Sequence, residues 1–237
     1  MASLQSSIVL KNLTSARLKE VSPFLQDVYL SEGDILYDAG EVVEAVYFPE
    51  DAVISVVTVM RDGQMIETAT IGNESVVGVI AALAEGRTYA RTFVQVGGQA
   101  MKLPASHLRR LVKESPELLK ILLSRVQRDI AQAEQSVACN ALHNVTQRLA
   151  RWLLLFQDRV ESPVVVLTQE YLAMVLGVQR TTVTAAAQTL RERGAISYRR
   201  GRIEIVDRKR LERASCECYA AGRSAEPEPQ VHAGLMS

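Results

Sequence analysis

The residues best placed to do chemistry are a set of short polar side chains around position 180. Gln179, Arg180, Thr181, Thr184 and Gln188 fall on one side of a 3.6-residue period, while Leu172, Leu176, Val178, Ala186 and Leu190 fall on the other. Amide, guanidinium and hydroxyl groups on an exposed helix face can hydrogen-bond base edges and phosphates. The chemistry implied is therefore recognition of nucleic acid. Gln179, Arg180, Thr181 and Thr184 are the candidate base readers, and Thr168, Thr182, Gln188, Arg199, Arg200 and Arg202 the candidate phosphate contacts. No nucleophile triad, phosphate loop or paired-acid signature appears, and no histidine lies between positions 28 and 104 to build a metal site in that region. Enzyme activity is not expected.

Positioning such a face needs two helices held at a fixed angle. In TQEYLAMVLGVQRTTVTAAAQTLRERG, residues 168–194, Ala173 falls where the first helix passes beneath the second, and Gly177 falls in the sharp turn between them. Glycine takes positive φ there without a Cβ penalty. Val183 plugs the second helix into the first. An ordinary helical hairpin would read similarly, but Ala195–Tyr198 and Arg202–Val206 alternate as two short strands joined by Arg199-Arg200-Gly201. A helix-turn-helix followed by a basic hairpin is a winged helix, with arginines at the wing tip to meet the DNA backbone.

The chain's 237 residues carry zero net charge and 48% hydrophobic residues, enough for two domains with their own cores. The charge is unevenly placed: residues 168–213 hold ten basic side chains against five acidic, so the rest carries the opposite excess. This sets an anion-binding surface near the C-terminal end. Cys139, Cys216 and Cys218 are too few and too uneven for a disulfide framework, which favours a reducing cytoplasm. MASLQSSIVLKNL lacks the pattern of a signal peptide, and no apolar run approaches a membrane span.

Before the winged helix, residues 10–24 form a short amphipathic segment with Leu13, Leu18, Val21 and Leu25 at helical spacing. From 28 to 104 the period becomes that of strands, with VYFP, AVISVVTVM, MIETATI and TFVQV separated by turn residues, as in a sandwich or jelly roll. Ser106 is expected to cap HLRRLVKE, and Ser115 with Pro116 to open a long helix. In that helix Leu119, Leu123, Val126, Ile130, Ala133, Val137 and Asn140 recur at alternating spacings of four and three. Such a seam either packs on its own β domain or pairs with a second copy as a two-helix coiled coil. Pairing would serve a near-palindromic site on double-stranded DNA, because two recognition helices on successive major-groove faces need two-fold symmetry. Residues 144–156 read as the first helix of the C-terminal domain. Ser162-Pro163 breaks the chain, Thr168 caps the next helix, and Asp207 caps a closing helix RKRLERASCECY. Beyond Tyr219 the tail has no periodicity and is expected to be disordered. The expected architecture is α+β: an antiparallel β-roll domain at 1–114, a dimerisation helix at 115–143, a winged helix-turn-helix at 144–219 and a tail at 220–237.

That order of elements, and TQEYLAMVLGVQRTTVTAAAQTLRERGAIS in particular, resembles the Crp/Fnr family of bacterial transcription regulators over about residues 25–219. The resemblance implies a homodimeric regulator whose second helix enters the major groove and which has RNA polymerase as a further partner. It also implies that Arg180 reads a guanine, which its planar fork can do bidentately. The cyclic-AMP receptor branch has glutamate and then arginine at the positions of Thr181 and Ala185, so its operator is not expected here. In the nucleotide-binding branch a Gly-Glu pair holds the ribose, and an Arg-Ser or Arg-Thr about ten residues later holds the phosphate. Here Gly78 is followed by Val79, which cannot accept a hydroxyl hydrogen bond, and Arg87-Thr88 and Arg91-Thr92 both compete for the phosphate role. These six are the candidate effector residues, and cyclic-nucleotide binding is not expected. The oxygen-sensing branch carries N-terminal cysteines for an iron–sulfur centre, but no cysteine precedes Cys139. His107, His143 and His232 form no cluster in the sequence, and Cys216-Glu-Cys218 is a weak metal or redox signal that, with no second pair, reads as tolerated thiols, so neither cofactor nor metal is expected. The alternative function is a cyclic-nucleotide or other small-molecule receptor whose winged helix binds protein.

Overall fold

In a computed structural model of the chain, residues 7–160, 164–199 and 202–224 are described. The fold is α+β, with an N-terminal antiparallel β domain, a long helix and a C-terminal helix-turn-helix domain. Two short helices, α1 (Ile8–Lys11) and α2 (Ser15–Val21), precede a 3-10 turn (Ser22–Phe24), where one amphipathic segment was expected. Thr14 caps α2 and breaks the segment into two. The β domain then runs β1 (Gln26–Leu30), β2 (Ile35–Tyr37), β3 (Ala45–Pro49), β4 (Val53–Val59), β5 (Met65–Ile71), a one-turn helix α3 (Val79–Leu83), β6 (Arg91–Val96) and β7 (Gly98–Pro104). Two antiparallel sheets, ordered β1-β7-β3 and β2-β6-β4-β5, form the roll. Val46, Phe48, Ile54, Val94 and Leu103 alternate into its interior, and Leu10, Val21 and Leu108 close it from the helical side.

The helix α4 (Ala105–Glu114) follows without a side-chain cap; Ser106 lies inside it and is not the capping residue. Ser115 does cap α5 (Pro116–Leu142), its Oγ accepting from the Leu118 amide at 3.2 Å, with Pro116 at the first helical position. This helix of 27 residues is about 40 Å long. It buries Leu118, Leu122 and Arg125 against the roll, where Arg125 pairs with Asp129 at 2.6 Å and Asp129 accepts from Ser75 Oγ at 2.5 Å. A second face stays uncovered: Leu123, Ile130 and Val137, each seven residues apart, are 54%, 50% and 71% exposed. The roll therefore does not absorb the whole seam. Leu119, Val126 and Ala133, which alternate with them along the seam, are half-buried.

The C-terminal domain comprises α6 (Val145–Val160), β8 (Val164–Val166), α7 (Gln169–Leu176), α8 (Arg180–Glu192), β9 (Ile196–Arg199), β10 (Arg202–Ile205), α9 (Arg208–Ala214) and α10 (Cys218–Ser224). Asn144 and Gln147 open α6 with a reciprocal capping box. Asp207 caps α9 by accepting from the Arg210 amide at 2.9 Å. The closing helix expected as one piece is two, because α9 stops at Ser215 and the chain turns before α10. Residues 220–224, expected in a disordered tail, continue α10; the rest of that tail, with His232, lies outside the described residues. Leu149, Leu153, Leu172, Val183, Leu190 and Ile203 form the domain core. No helix among the described residues is long and apolar enough to cross a membrane.

Candidate nucleic-acid interface

The helix pair folds around the three small or branched residues that the sequence places at its joint. Gly177 ends α7 at φ 59°, in the left-handed region, and the Val178 amide bonds back to the Ala173 carbonyl at 3.1 Å. Val183 is fully buried and anchors α8. With that face fixed inward, Gln179, Arg180, Thr181, Thr182 and Thr184 are all exposed, and Gln188 is half-buried. Thr168 caps α7, its Oγ1 accepting from the Tyr171 amide at 3.0 Å.

Several of these polar groups have internal partners. Arg180 folds back over the start of α7, donating to Gln169 Oε1 at 2.8 Å and to Glu170 Oε1 at 2.6 Å. Both ends of the ion pair are 64% exposed, so releasing the guanidinium costs little. Thr184 Oγ1 donates to the Arg180 carbonyl, and Gln188 donates to Glu192. The wing is a three-stranded antiparallel sheet ordered β8-β10-β9, in which Arg202 lies opposite Arg199 and both are exposed. Arg200, the third wing arginine singled out in the sequence, lies outside the described residues. Not every basic residue near the C-terminus is free for anions. Arg208 is spent internally on Asp158 at 2.6 Å, Glu212 at 3.1 Å and Gln157 at 2.7 Å.

The candidate effector residues gather where α3 meets β2 and β6. Gly78 has φ 82°, and a Cβ there would come within 2.6 Å of the Tyr37 hydroxyl, so glycine is required by close packing. Val79 is buried. Arg87 donates to the Gly40 carbonyl at 2.7 Å, and Arg91 forms a two-point pair with Asp38 at 3.1 and 2.8 Å. This pairing holds the half-buried Asp38 carboxyl below the ordinary range. Thr88 donates to the Ala90 carbonyl, and Thr92 is buried. Both arginines thus have ligands within the chain, and no carboxylate stands at the position of Val79.

The winged helix rests on the roll through a polar seam that no local pattern in the sequence announces. Glu67 of β5 accepts from Ser55 Oγ at 2.6 Å and Tyr171 OH at 2.8 Å through Oε1, and from Trp152 Nε1 at 2.9 Å through Oε2. Burial outweighs these hydrogen bonds and pushes the Glu67 carboxyl above the ordinary range. Nearby, buried Glu74 pairs with buried Arg159 at 2.8 Å. Burial would raise this second carboxyl, but Arg159 and Arg125 together hold it below its ordinary value. A cavity of about 90 Å³ lies between β5, α5 and α6, lined by Thr70, Gln132, Arg151 and Trp152 among others. Alternation along β4 carries a trace of this contact: Ile54 faces the roll interior, whereas Val53 joins the winged-helix core.

The cyclic nucleotide-binding domain profile matches residues 27–115, and the Crp-like helix-turn-helix domain profile matches residues 147–214. The global nitrogen regulator of Synechococcus elongatus is 26% identical over 194 residues, covering 77% of this chain and 86% of that protein. Among solved structures, a Crp/Fnr-family transcriptional regulator from Eubacterium rectale superposes with a TM-score of 0.70 at 17% identity, covering 87% of this chain and 97% of its own. A CRP-family regulator from Thermus thermophilus gives 0.68 at 22% identity, over 79% and 96%. The two profiles together span most of the described chain and flank the long helix, which neither covers, in the order that the fold displays. The chain belongs to the Crp/Fnr family of transcription regulators, with a cyclic nucleotide-binding-type domain joined to a helix-turn-helix.

Proposed function

We propose that the protein is a homodimeric, sequence-specific regulator that reads a near-palindromic site on double-stranded DNA. The observation that carries this reading is the exposed polar face of α8, locked outward by Val183 and flanked by the arginines of the wing. Gln179, Arg180, Thr181 and Thr184 face base edges, and Thr168, Thr182, Gln188, Arg199, Arg200 and Arg202 hold phosphates. The uncovered heptad row Leu123, Ile130 and Val137 supports a second copy paired along α5. Regulators of this family bind DNA and work as dimers. RNA polymerase as a further partner follows from the same family reading, and the cytoplasm as the compartment from the cysteine usage.

The roll works in this reading without cyclic nucleotide. Val79 supplies no carboxylate for a ribose, and Arg87 and Arg91 are already held by Gly40 and Asp38. A gel shift with titrated salt tests the DNA reading. Affinity for a selected operator should fall linearly in log–log form, with a slope of about −0.9 for each phosphate neutralised. Affinity indifferent to salt, or no selected operator, would sink it.

A further inference from the structure

The three cysteines of the chain, Cys139 far in sequence from Cys216 and Cys218, meet one of its three histidines. Cys139 comes from the last turns of α5, and His143 is the residue at which α5 ends. Cys216 lies in the turn between α9 and α10, and Cys218 opens α10. Their ligand atoms, three Sγ and an imidazole nitrogen, all lie within 4.8 Å of one another. The three thiols are almost completely buried and form a small core of their own.

Two spacings within the cluster bear on the chemistries open to it. Cys139 Sγ lies 3.5 Å from Cys216 Sγ, and Cys218 Sγ lies 3.6 Å from His143 Nδ1. Four ligands on one zinc ion, with Zn–S near 2.3 Å and Zn–N near 2.0 Å, stand about 3.5–3.8 Å apart along the edges of the tetrahedron. A disulfide would bring two sulfurs to about 2.05 Å, and a cubane cluster holds each thiolate on a separate iron, farther apart.

The surroundings favour the same assignment. Glu217 Oε1 lies 3.2 Å from His143 Nε2, a partner that suits a proton on that nitrogen and leaves Nδ1, on the sulfur side, as the ligand atom. Gln135 Nε2 donates to Cys218 Sγ at 3.0 Å, which suits a thiolate acceptor. Three thiolates around a dication leave one net negative charge. Arg148 and Arg151 of α6 each bury an Nε without a hydrogen-bond partner among the described residues.

We propose that Cys139, His143, Cys216 and Cys218 bind one zinc-type divalent ion as a closed tetrahedral site. With four protein ligands and no open position the ion is structural. It would clamp α10 to the joint at His143 and Asn144, where α5 gives way to α6 and the winged helix begins. Metal binding is independent of whether the proposed operator reading is right.

The full-length chain, purified reduced and without chelator, tests this by elemental mass spectrometry and by Co2+ titration of the metal-stripped protein. The expected result is one zinc retained per chain. Cobalt should give the strong visible bands of tetrahedral coordination and a near-ultraviolet thiolate-to-cobalt band, both displaced by added Zn2+. His143→Asn, at a half-buried helix end, should keep the fold by circular dichroism yet lower zinc affinity by more than about tenfold, the scale on which even outer-shell partners act. Overturning results are no retained zinc together with no cobalt bands, iron with acid-labile sulfide in its place, a Cys139–Cys216 disulfide, or unchanged affinity in the folded His143→Asn chain.

Discussion

Arg180 and Arg202 carry the same charge and should behave differently. Arg180 opens α8 beside the exposed threonines, while Arg202 stands on the wing opposite Arg199. If Arg180 reads a guanine bidentately, Arg180→Ala should cost about 1–3 kcal/mol on the preferred operator and relax selection at one base pair per half-site. Arg202→Ala should instead weaken all sequences alike and lower the salt slope by about one. Binding selection on randomised DNA, run at two salt concentrations, separates the two outcomes. A uniform loss for Arg180→Ala would make it a phosphate contact. Its ion pair with Glu170 does not protect it from either fate, because the pair is exposed.

At the scale of the element, α5 has two occupations. One face carries Leu118, Leu122 and Arg125 into the roll, and the other leaves Leu123, Ile130 and Val137 to solvent. A charge on the second face should therefore separate copies without unfolding either. Ile130→Asp is expected to sediment as a monomer at micromolar concentration with unchanged circular dichroism. Its affinity for a full palindrome should drop by at least about tenfold, since the second half-site is no longer delivered at high effective concentration. A dimer that persists in the variant would move the interface elsewhere.

Across the whole molecule, the contact between roll and winged helix rests on two carboxylates with opposite pH behaviour. Glu74 titrates below its ordinary range when folded. Its contribution is present above the ordinary glutamate value of about 4.3 and is lost as pH falls through the folded value. Glu67 titrates above its ordinary range when folded. Its contribution is full below about 4.3 and is lost as pH rises through the raised value. Trp152 is the one tryptophan in the chain and donates to Glu67, so its emission reports this contact directly. The stability loss on the rising side should disappear in Glu67→Gln, and an unaltered pH profile in that variant would remove Glu67 from the account. Arg159→Ala leaves Glu74 buried without its nearest cation and should cost about 3 kcal/mol in urea unfolding. This is the low end for a broken buried pair, because Arg125 still acts on the carboxylate.

Local chemistry made much of this protein legible in its sequence. Gly177 at a left-handed turn, Val183 inside, the caps Ser115, Thr168 and Asp207, and strand alternation through the roll all depend on neighbours a few residues away. Short-range rules reach that far. They failed where the outcome turned on competing local ends, as at Ser106 and in the closing helix, which breaks at Ser215. Tertiary structure alone decided which charges were already taken, leaving Arg91 to Asp38 and Arg208 to Asp158. It alone set Glu67 against Trp152 and Tyr171, pairs separated by 85 and 104 positions. The cysteines are the sharpest case. Cys139 and His143 stand four apart at the end of one helix, and Cys216 and Cys218 flank a single glutamate; each pair by itself is a weak signal for metal binding. Only the turn between α9 and α10, packed against the end of α5, brings the two pairs into one cluster, because proximity across 77 residues is a property of packing and not of spacing.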